Sequence, residues 1–441
     1  MKLQHELEPI LGQIRSKAEQ KWREYIQSRM RTGQATEPDA PNAVDPNAQK
    51  ETNEFFGSVD DLLNRLRRYY VLDAHDFKVN VDQLADASGG GGPNARPIGG
   101  TVDGSVFAAE EDVRPVANMI NEGLWLGDAA TNFEKNFLAP FDRASKCQRF
   151  YAREMATAAA AFQVASSRSG RSVTFVAQSC LAALDGISKS KAELGFADTS
   201  KDMPGKAVVE AVGIVLGVIG LFASGGTALI VGAAGLASGL YGVAKHGGTE
   251  PNLQILPLEP NSSPMNVIVS AENALKSLEE WIADQDGLLA AGLKADISSA
   301  QAFDSPELRV PKPRISAGTY KQLDLIERPG GKNQTVANLV ELGKAGTHNL
   351  PTAAQQYSLS ARYMDGCQVP GSLSTFFPRS IPLFNQAADE LADILHETSR
   401  SLTDAGDAMV TAMQNYRVTD DERASINAQI LAAGPTIAPT K

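Results

Sequence analysis

IPLFNQAADELADILHETSRSLTDAGDAMVTAMQNY, residues 381–416, is the stretch of this sequence that decides the fold. Its apolar residues recur at steps of three, four and seven, as they do along one face of a helix that packs against a partner. These positions are Ile381, Phe384, Ala388, Leu391, Leu395, Leu402, Ala405, Met409, Ala412 and Tyr416. The pattern predicts a helix of about ten turns. The stretch from Val336 to Tyr363 is its expected partner in a C-terminal helical hairpin.

Helical patterns also fill most of the remaining chain. Residues 3–30 and 265–300 carry apolar residues at helical spacing and are predicted to be amphipathic helices. Residues 109–196 are rich in Ala, Glu, Lys, Arg and Leu, which favour long helices. We expect interruptions in this last stretch at Trp125–Gly127 and at Ser169–Gly170.

Strand signals are scarce. Two short stretches have apolar residues in a strand-like pattern, Leu253–Leu258 and Val267–Val269, but both are too short to organise a sheet. The sequence therefore predicts an all-α fold. We expect an elongated helical bundle with a helical hairpin around Trp125, a central apolar helical hairpin and the C-terminal helical hairpin.

Six segments are predicted along the chain, with boundaries at polar runs rich in Pro and Gly. They are an N-terminal amphipathic helix (1–31), a linker with a short helix at 59–70 (32–104), a helical bundle (105–300) containing the apolar hairpin (207–244), a Pro/Gly-rich linker (301–334), the C-terminal hairpin (335–430) and a flexible tail (431–441).

The charge balance bears on the class of partner. The chain carries 41 Lys and Arg against 52 Asp and Glu, a net charge of -11. Such a chain repels a phosphate backbone unless basic residues are concentrated in one patch. The best basic cluster, Arg65, Arg67 and Arg68, is short and typical of a solvated helix face. Nucleic acid is therefore not an expected partner.

Reactive residues show no catalytic or metal-binding pattern. Cys147, Cys180 and Cys367 are far apart and lack CxxC spacing, although one incidental disulfide after export stays open. The five histidines form no HExxH motif, and no Gly-x-Ser-x-Gly elbow, Walker loop or dinucleotide fingerprint is present. We expect no metal, no cofactor and no enzymatic activity.

The N-terminus lacks the features of a cleavable signal peptide. It has no basic start, no continuous apolar core and no small-residue cleavage site. A secreted form of this protein would therefore have to leave the cell by a route that recognises another signal.

A Trp-x-Gly pattern lies between two long helical stretches, in GLWLGDAATNF, residues 123–133. Gly127 permits a tight turn, Trp125 fills the open end of a helical hairpin, and Ala129 and Phe133 lie one turn apart on the next helix. The combination resembles the WXG family of type VII (ESX) secretion substrates. The alternative is an ordinary helix-turn-helix capped by a tryptophan.

The C-terminal helix supports the same resemblance from an independent place. It ends in NYRVTDDE, residues 415–422, in which Tyr416 and Asp420 match the Tyr-x-x-x-Asp/Glu export signal of that family. The pattern also occurs at Tyr69 and at Tyr320, so its position at the end of the long helix is what distinguishes Tyr416. A frayed helix end with an acidic tail is the alternative interpretation.

The resemblance implies a secreted protein and a partner in the type VII secretion machinery or its chaperone. Typical members are short single hairpins, whereas here the Trp-x-Gly and the Tyr-Asp pair lie in different segments. The chain is in this respect more similar to the larger ESX-associated substrates.

The central apolar segment has no charged residue between Glu210 and Lys245. A straight helix of this length would span about 50 Å, well beyond a bilayer core of about 30 Å. A break at Ser224-Gly225-Gly226 would divide it into two arms, each with small residues that allow close packing. The glycines of this predicted membrane hairpin are Gly213, Gly217, Gly220, Gly225, Gly226, Gly232, Gly235 and Gly239.

Three interpretations of this segment stay open. The hairpin inserts into a membrane, as in the α-helical pore-forming toxins that it resembles; it is the buried centre of the bundle; or the protein resides permanently in a membrane. We therefore expect a secreted, membrane-active effector that contacts lipid and forms homo-oligomers, with pore formation as one mode of its action. The alternative is a secreted structural protein of an envelope-associated assembly, in which the hairpin packs against sister subunits.

Overall fold

The computed structural model shows an all-α protein, as predicted. It describes residues 2–31, 46–72, 74–85, 100–190, 193–194, 253–260, 262–298, 307–313 and 336–415. The helices within these ranges are α1 Lys2–Arg31, α2 Pro46–Arg68, α3 Ala74–Leu84, α4 Val102–Asn121, α5 Asp128–Phe133, α6 Ala139–Leu184, α7 Met265–Ser298, α8 Leu339–Lys344, α9 Leu350–Asp365 and α10 Ser380–Asn415. The described β-structure is one pair of short strands, β1 Trp125–Leu126 and β2 Val336–Ala337.

The C-terminal hairpin is confirmed. Helix α10 packs along α9, and the predicted apolar positions from Ile381 to Met409 are buried. The partner stretch is not one continuous helix from Val336, because β2, α8 and a π-helical turn, Ala345–Asn349, precede α9.

Helix α10 crosses this π-helical turn at backbone contact. A Cβ atom added to Gly346 would lie 2.8 Å from the carbonyl oxygen of Gly406 and 2.8 Å from Cγ2 of Val410. Real Cβ atoms do not approach other atoms this closely, so the space for a side chain is already filled. The absence of a side chain at Gly346 therefore sets how close α10 lies to the turn.

Helix α6 is the central element of the bundle and contacts α1, α3, α4, α7 and α10. The predicted interruption at Ser169–Gly170 is wrong, since α6 runs unbroken through it. The hydroxyl of Ser169 donates to the carbonyl of Ala165 within the helix, and Gly170 faces Leu3 of α1. Packing on all sides outweighs the weak local preference of these residues for a turn.

The N-terminal helix is confirmed as α1, but the segment predicted as a linker at 32–104 holds more structure than expected. The short helix predicted at 59–70 is the longer α2, and α3 follows it. Buried residues at helical spacing extend back to Phe55 in α2 and recur at Phe77 in α3. Both helices bury apolar faces in the same core as α6.

Two further differences concern extended segments. In the predicted linker at 301–334, Leu308 and Val310 are buried, and their carbonyls accept hydrogen bonds from Gln148 of α6 and Ser401 of α10. Val267–Val269, a weak strand signal, lies inside α7, and Leu253–Leu258 forms no strand.

Candidate functional site: the Trp125 turn and the base of the uncharged segment

The Trp125 turn begins where α4 ends. The amide of Leu124 donates to the carbonyl of Met119 and that of Gly123 to Ile120, with Gly123 at φ +74°. This is the pairing by which a glycine in the left-handed region closes a helix. Gly127 then precedes α5 at φ +116°, where any other residue would be strained. The glycine of the Trp-x-Gly pattern is thus required by the backbone.

Three of the four predicted residues meet in this turn. The Trp125 side chain is 3% exposed and its ring centroid lies 5.8 Å from that of Phe133, which stacks on Phe137 at 5.1 Å. Ala129 and Phe133 lie one turn apart on α5, as predicted, but Ala129 is exposed and Ala130 is the buried alanine of that helix. A shift of one residue rotates a helical position by about 100°.

The turn is also paired to a distant part of the chain. Strand β1 runs antiparallel to β2, with Trp125 opposite Ala337 and Leu126 opposite Val336. The amide of Asn338 donates to the carbonyl of Leu124 over 2.7 Å. Sequence reasoning missed this pairing because a two-residue strand carries no alternating pattern.

The same order of elements occurs twice, 211 residues apart. We call 125–140 the first turn module and 336–351 the second. Each has a two-residue strand, a capping residue, a six-residue helix, a five-residue π-helical turn and the start of a long helix with a proline in its first turn. In the antiparallel register of β1 and β2, Trp125 and Val336 occupy equivalent positions, as do Leu126 and Ala337.

The proline accounts for the π-helical turn in each module. Pro140 and Pro351 lack an amide hydrogen, and a proline ring clashes with the carbonyl four residues earlier in a regular helix. In the wider turn, the amides of Ala139 and Leu350 donate to the carbonyls of Glu134 and Ala345, five residues back. These prolines are the one identity between the aligned modules, so the repeat is hard to detect from sequence.

The modules differ in their outer faces. The second module is covered by α10, and the residues on its covered face are buried: Leu342, Gly343, Ala345 and Gly346. Their equivalents in the first module are exposed and mostly polar: Thr131, Asn132, Glu134 and Lys135. The module that α10 covers therefore has small or apolar residues on this face, whereas the module with the exposed face has polar residues there.

A buried charge cluster joins the first turn of α4 to α6. Asp103 accepts from Nε of Arg149 at 2.7 Å and from Nε of Arg153 at 2.9 Å, and Arg149 also donates to Glu110 at 2.8 Å. Arg149 lies 4.7 Å over the ring of Phe107. Burial raises the pKa of Glu110 although Arg149 opposes that shift. Burial alone would lower the pKa of Arg149, but the two carboxylates outweigh it and raise that pKa.

A neutral network continues the cluster toward the C-terminal hairpin. The buried hydroxyl of Tyr357 donates to Oε1 of Gln148 at 2.8 Å. The amide of Gln148 donates to the carbonyl of Leu308 at 2.7 Å and to the hydroxyl of Thr398 at 3.0 Å. Burial raises the pKa of Tyr357 well above its usual range, so this phenol stays protonated. The network is best explained as a device that fixes the helices relative to one another.

The described residues before and after the uncharged segment meet at one place, the end of α6. After α6, the amide of Ile187 donates to the carbonyl of Ala182. On the return, the amide of Leu258 donates to the neighbouring carbonyl of Ala183 at 2.9 Å, and the amide of Leu256 donates to the hydroxyl of Ser270 in α7. The two flanks of the segment are thus joined by hydrogen bonds at the end of α6.

Large apolar side chains are exposed around this junction. Ile187 is 49% exposed, Leu256 62% and Val269, next to Ser270, 43%. We call Ile187, Leu256 and Val269 the base face. The sequence signal for them is weak, because single exposed apolar residues are common on any protein.

The remaining predicted site residues lie outside the described residues. They are Tyr416 and Asp420 of the export signal and the eight glycines of the apolar hairpin, Gly213, Gly217, Gly220, Gly225, Gly226, Gly232, Gly235 and Gly239. Among the helices that the structure describes, none has the length and apolar character needed to cross a bilayer. The described ranges also hold no group of three residues suited to a metal ion.

All three cysteines are buried as free thiols. Burial raises the pKa of Cys147 to about 11, that of Cys180 to about 12 and that of Cys367 to about 12. These thiols are therefore poor nucleophiles near neutral pH.

Comparisons of the chain with protein-family models, with curated proteins and with solved structures find no match.

Proposed function

We propose that this protein is a non-enzymatic effector exported by a type VII (ESX) system, and that its uncharged segment inserts into a membrane as an apolar helical hairpin. The proposal has two parts, export and membrane insertion, which have separate support and separate tests. In this proposal the secretion machinery or its chaperone is the first partner, and membrane lipid is the second.

The Trp125 turn supports the export part. Trp125 and Phe133 pack together, and the backbone requires glycine at position 127, so the Trp-x-Gly residues act as one structural unit. The C-terminal end of α10, where Tyr416 follows Asn415, lies at the same end of the bundle. This follows because α10 contacts α8, which directly follows β2, the partner of β1.

The competing copies of the Tyr-x-x-x-Asp pattern differ in accessibility. Tyr69 is 1% exposed and its ring lies 4.9 Å from that of Phe376, so it is unsuited to recognition by another protein. Tyr320 and Tyr416 both lie outside the described residues. Only Tyr416 follows the long amphipathic helix, which is why we assign the signal to it.

Two observations support the membrane part: the sequence has 34 consecutive uncharged residues, and the described chain on either side of them is joined by hydrogen bonds. The bond from Leu258 to Ala183 links these two flanks at the end of α6. The core of the described residues is continuous from α1 to α10 on both sides of this junction. A segment whose flanks are joined in this way can insert into a membrane without breaking the hydrogen bonds or the core of the bundle.

For export, we expect Tyr416→Ala to remove the protein from the culture supernatant of its host while cytosolic levels stay intact. The matched control is Tyr320→Ala, which removes the same pattern elsewhere in the chain and should leave export unchanged. Both proteins are quantified in supernatant and cell fractions by immunoblot. Continued export of the Tyr416→Ala protein would contradict the assignment of the signal.

For membrane insertion, we expect the purified protein to release dye from liposomes, and Gly217→Asp to abolish the release. A charge at the centre of a bilayer-spanning helix costs about 3 kcal/mol on insertion scales. The matched control is Gly57→Asp in α2, where an added Cβ has open space, and it should release dye like the unaltered protein. If the protein released no dye at any pH or lipid composition, the membrane part of the proposal would be wrong. A concentration-dependent oligomer under those conditions would instead favour the structural role in an envelope assembly.

A further inference from the structure

We propose that the base face, Ile187, Leu256 and Val269, is the surface with which the bundle rests on the lipid bilayer. This inference rests on the membrane part of the proposed function. It adds which side of the bundle faces the membrane and which residues make the contact.

Backbone contacts bring the three residues together. Ile187 is bonded to the last turn of α6 through Ala182, and the returning chain is bonded to the same turn through Ala183. The hydroxyl of Ser270 holds the amide of Leu256 at 2.9 Å, which sets Leu256 beside the first turns of α7 and its neighbour Val269. Three residues that are distant in sequence therefore surround one junction.

Local alternation shows that Leu256 points outward although it is apolar. Along the returning chain Leu253 and Ile255 are buried, whereas Gln254 and Leu256 are exposed. In an extended chain, alternate residues face opposite sides. The exposed side of such a segment is ordinarily polar, as Gln254 is, so a leucine that is 62% exposed near two other exposed apolar residues favours a contact outside the bundle.

Chain length limits how far this face is from the bilayer. The uncharged stretch ends at Ala244, and eight residues, 245–252, separate it from Leu253. An extended chain spans at most about 3.5 Å per residue, so Ala244 lies within about 30 Å of Leu253. A bilayer that receives the segment is therefore held within about 30 Å of the returning chain, on which Leu256 lies.

Position along α6 separates the base face from other exposed apolar residues. Val79 lies on α3, whose Phe77 stacks on Phe162 at 5.2 Å. Phe162 is 21 residues before Ala183, about 30 Å along the helix. Leu359 lies on α9, whose Tyr357 packs against Phe141, still farther from the junction. Val71 follows Tyr69, whose ring lies 4.9 Å from that of Phe376, and the ring of the next residue, Phe377, lies 5.4 Å from that of Phe162. Val71, Val79 and Leu359 are therefore control positions of similar exposure, at 42%, 42% and 37%.

The first test compares two triple variants of the full chain in vesicles of phosphatidylcholine and phosphatidylglycerol. Ile187→Ser/Leu256→Ser/Val269→Ser should lower vesicle partition about tenfold, because it removes apolar area that enters the interface. Val71→Ser/Val79→Ser/Leu359→Ser should partition like the unaltered protein. Equal thermal midpoints of the three proteins would show that the substitutions leave the fold intact.

The second test reads the contact directly. A cysteine introduced by Leu256→Cys is the only exposed thiol beside three native cysteines that are buried with raised pKa values, so it is labelled selectively with an environment-sensitive fluorophore. We expect the fluorophore to be water-exposed in the free protein and to shift to the blue with vesicles. The same label at Leu359→Cys should not shift.

The outcomes separate this inference from the function on which it rests. An unaltered protein that neither binds vesicles nor releases dye contradicts the membrane part itself. Dye release and partition that are unchanged in the base-face variant, with no shift at position 256, overturn the inference and leave the membrane part standing. A label at position 256 that is already shielded without vesicles also overturns it, since another part of the chain or a second copy would then cover the face.

Discussion

Asp103→Ala should lower the free energy of unfolding by about 3 to 5 kcal/mol, because it leaves two buried arginines without their shared carboxylate. Asp103 accepts from Arg149 and Arg153, which lie one turn apart on α6, and its side chain is 4% exposed. Arg149 keeps its ion pair with Glu110 in this variant. The change is measured by urea denaturation, with the midpoint and the slope analysed separately.

The control for Asp103→Ala is on the same helix. Glu111 pairs with Arg114 at the surface, and Glu111→Ala should cost at most about 1 kcal/mol, since exposed pairs contribute little. A second variant, Asp103→Ala with Arg153→Met, should recover part of the loss, because it also removes one of the two buried charges that Asp103 accompanies. If Asp103→Ala were no more destabilising than Glu111→Ala, the charge cluster would not hold α4 to α6.

Gly346→Ala should lower the free energy of unfolding by about 2 to 3 kcal/mol, although alanine is the better helix former. The added Cβ would lie 2.8 Å from the carbonyl oxygen of Gly406, 2.8 Å from Cγ2 of Val410 and 3.0 Å from Cβ of Met409. Two of these atoms belong to the backbone or to the stem of a side chain, so α10 itself has to move. Urea denaturation measures the loss.

Gly12→Ala and Gly57→Ala make the same substitution where an added Cβ meets nothing within 4 Å. Each glycine lies inside a helix, α1 or α2, so alanine should stabilise the protein by about 0.5 to 1 kcal/mol. The sign of the effect therefore distinguishes close packing from helix propensity. Stabilisation by Gly346→Ala would contradict the contact between α10 and the second turn module.

Helices were predictable here because their signal is local. The burial of Ile381 through Met409 follows from apolar residues three, four and seven apart, and α1 follows from the same rule. Boundaries were less predictable: α2 begins well before the predicted residue 59, and α6 ignores Ser169 and Gly170. In both cases tertiary packing supplies more stability than local propensity removes.

The candidate site was predicted only in part. Trp125, Gly127 and Phe133 were identified because their residue types act together in a turn, whereas the buried Ala130, which follows the predicted Ala129, was not identified. The export signal at Tyr416 and Asp420 and the hairpin in the uncharged segment stay predictions, since these residues lie outside the described ones.

By itself, the sequence determined the helical class, the buried face of the long helices, the glycine turn at Trp125 and the uncharged stretch from Ala211 to Ala244. Each of these features depends on residues that are close in sequence, so the periodicity and the type of their side chains predict it directly. Tertiary structure alone decided the pairing of β1 with β2, the salt bridges of Asp103 and the joined flanks around Ala183. These contacts join segments from about 45 to more than 200 residues apart. Such contacts leave no local pattern, because each depends on how the whole bundle packs.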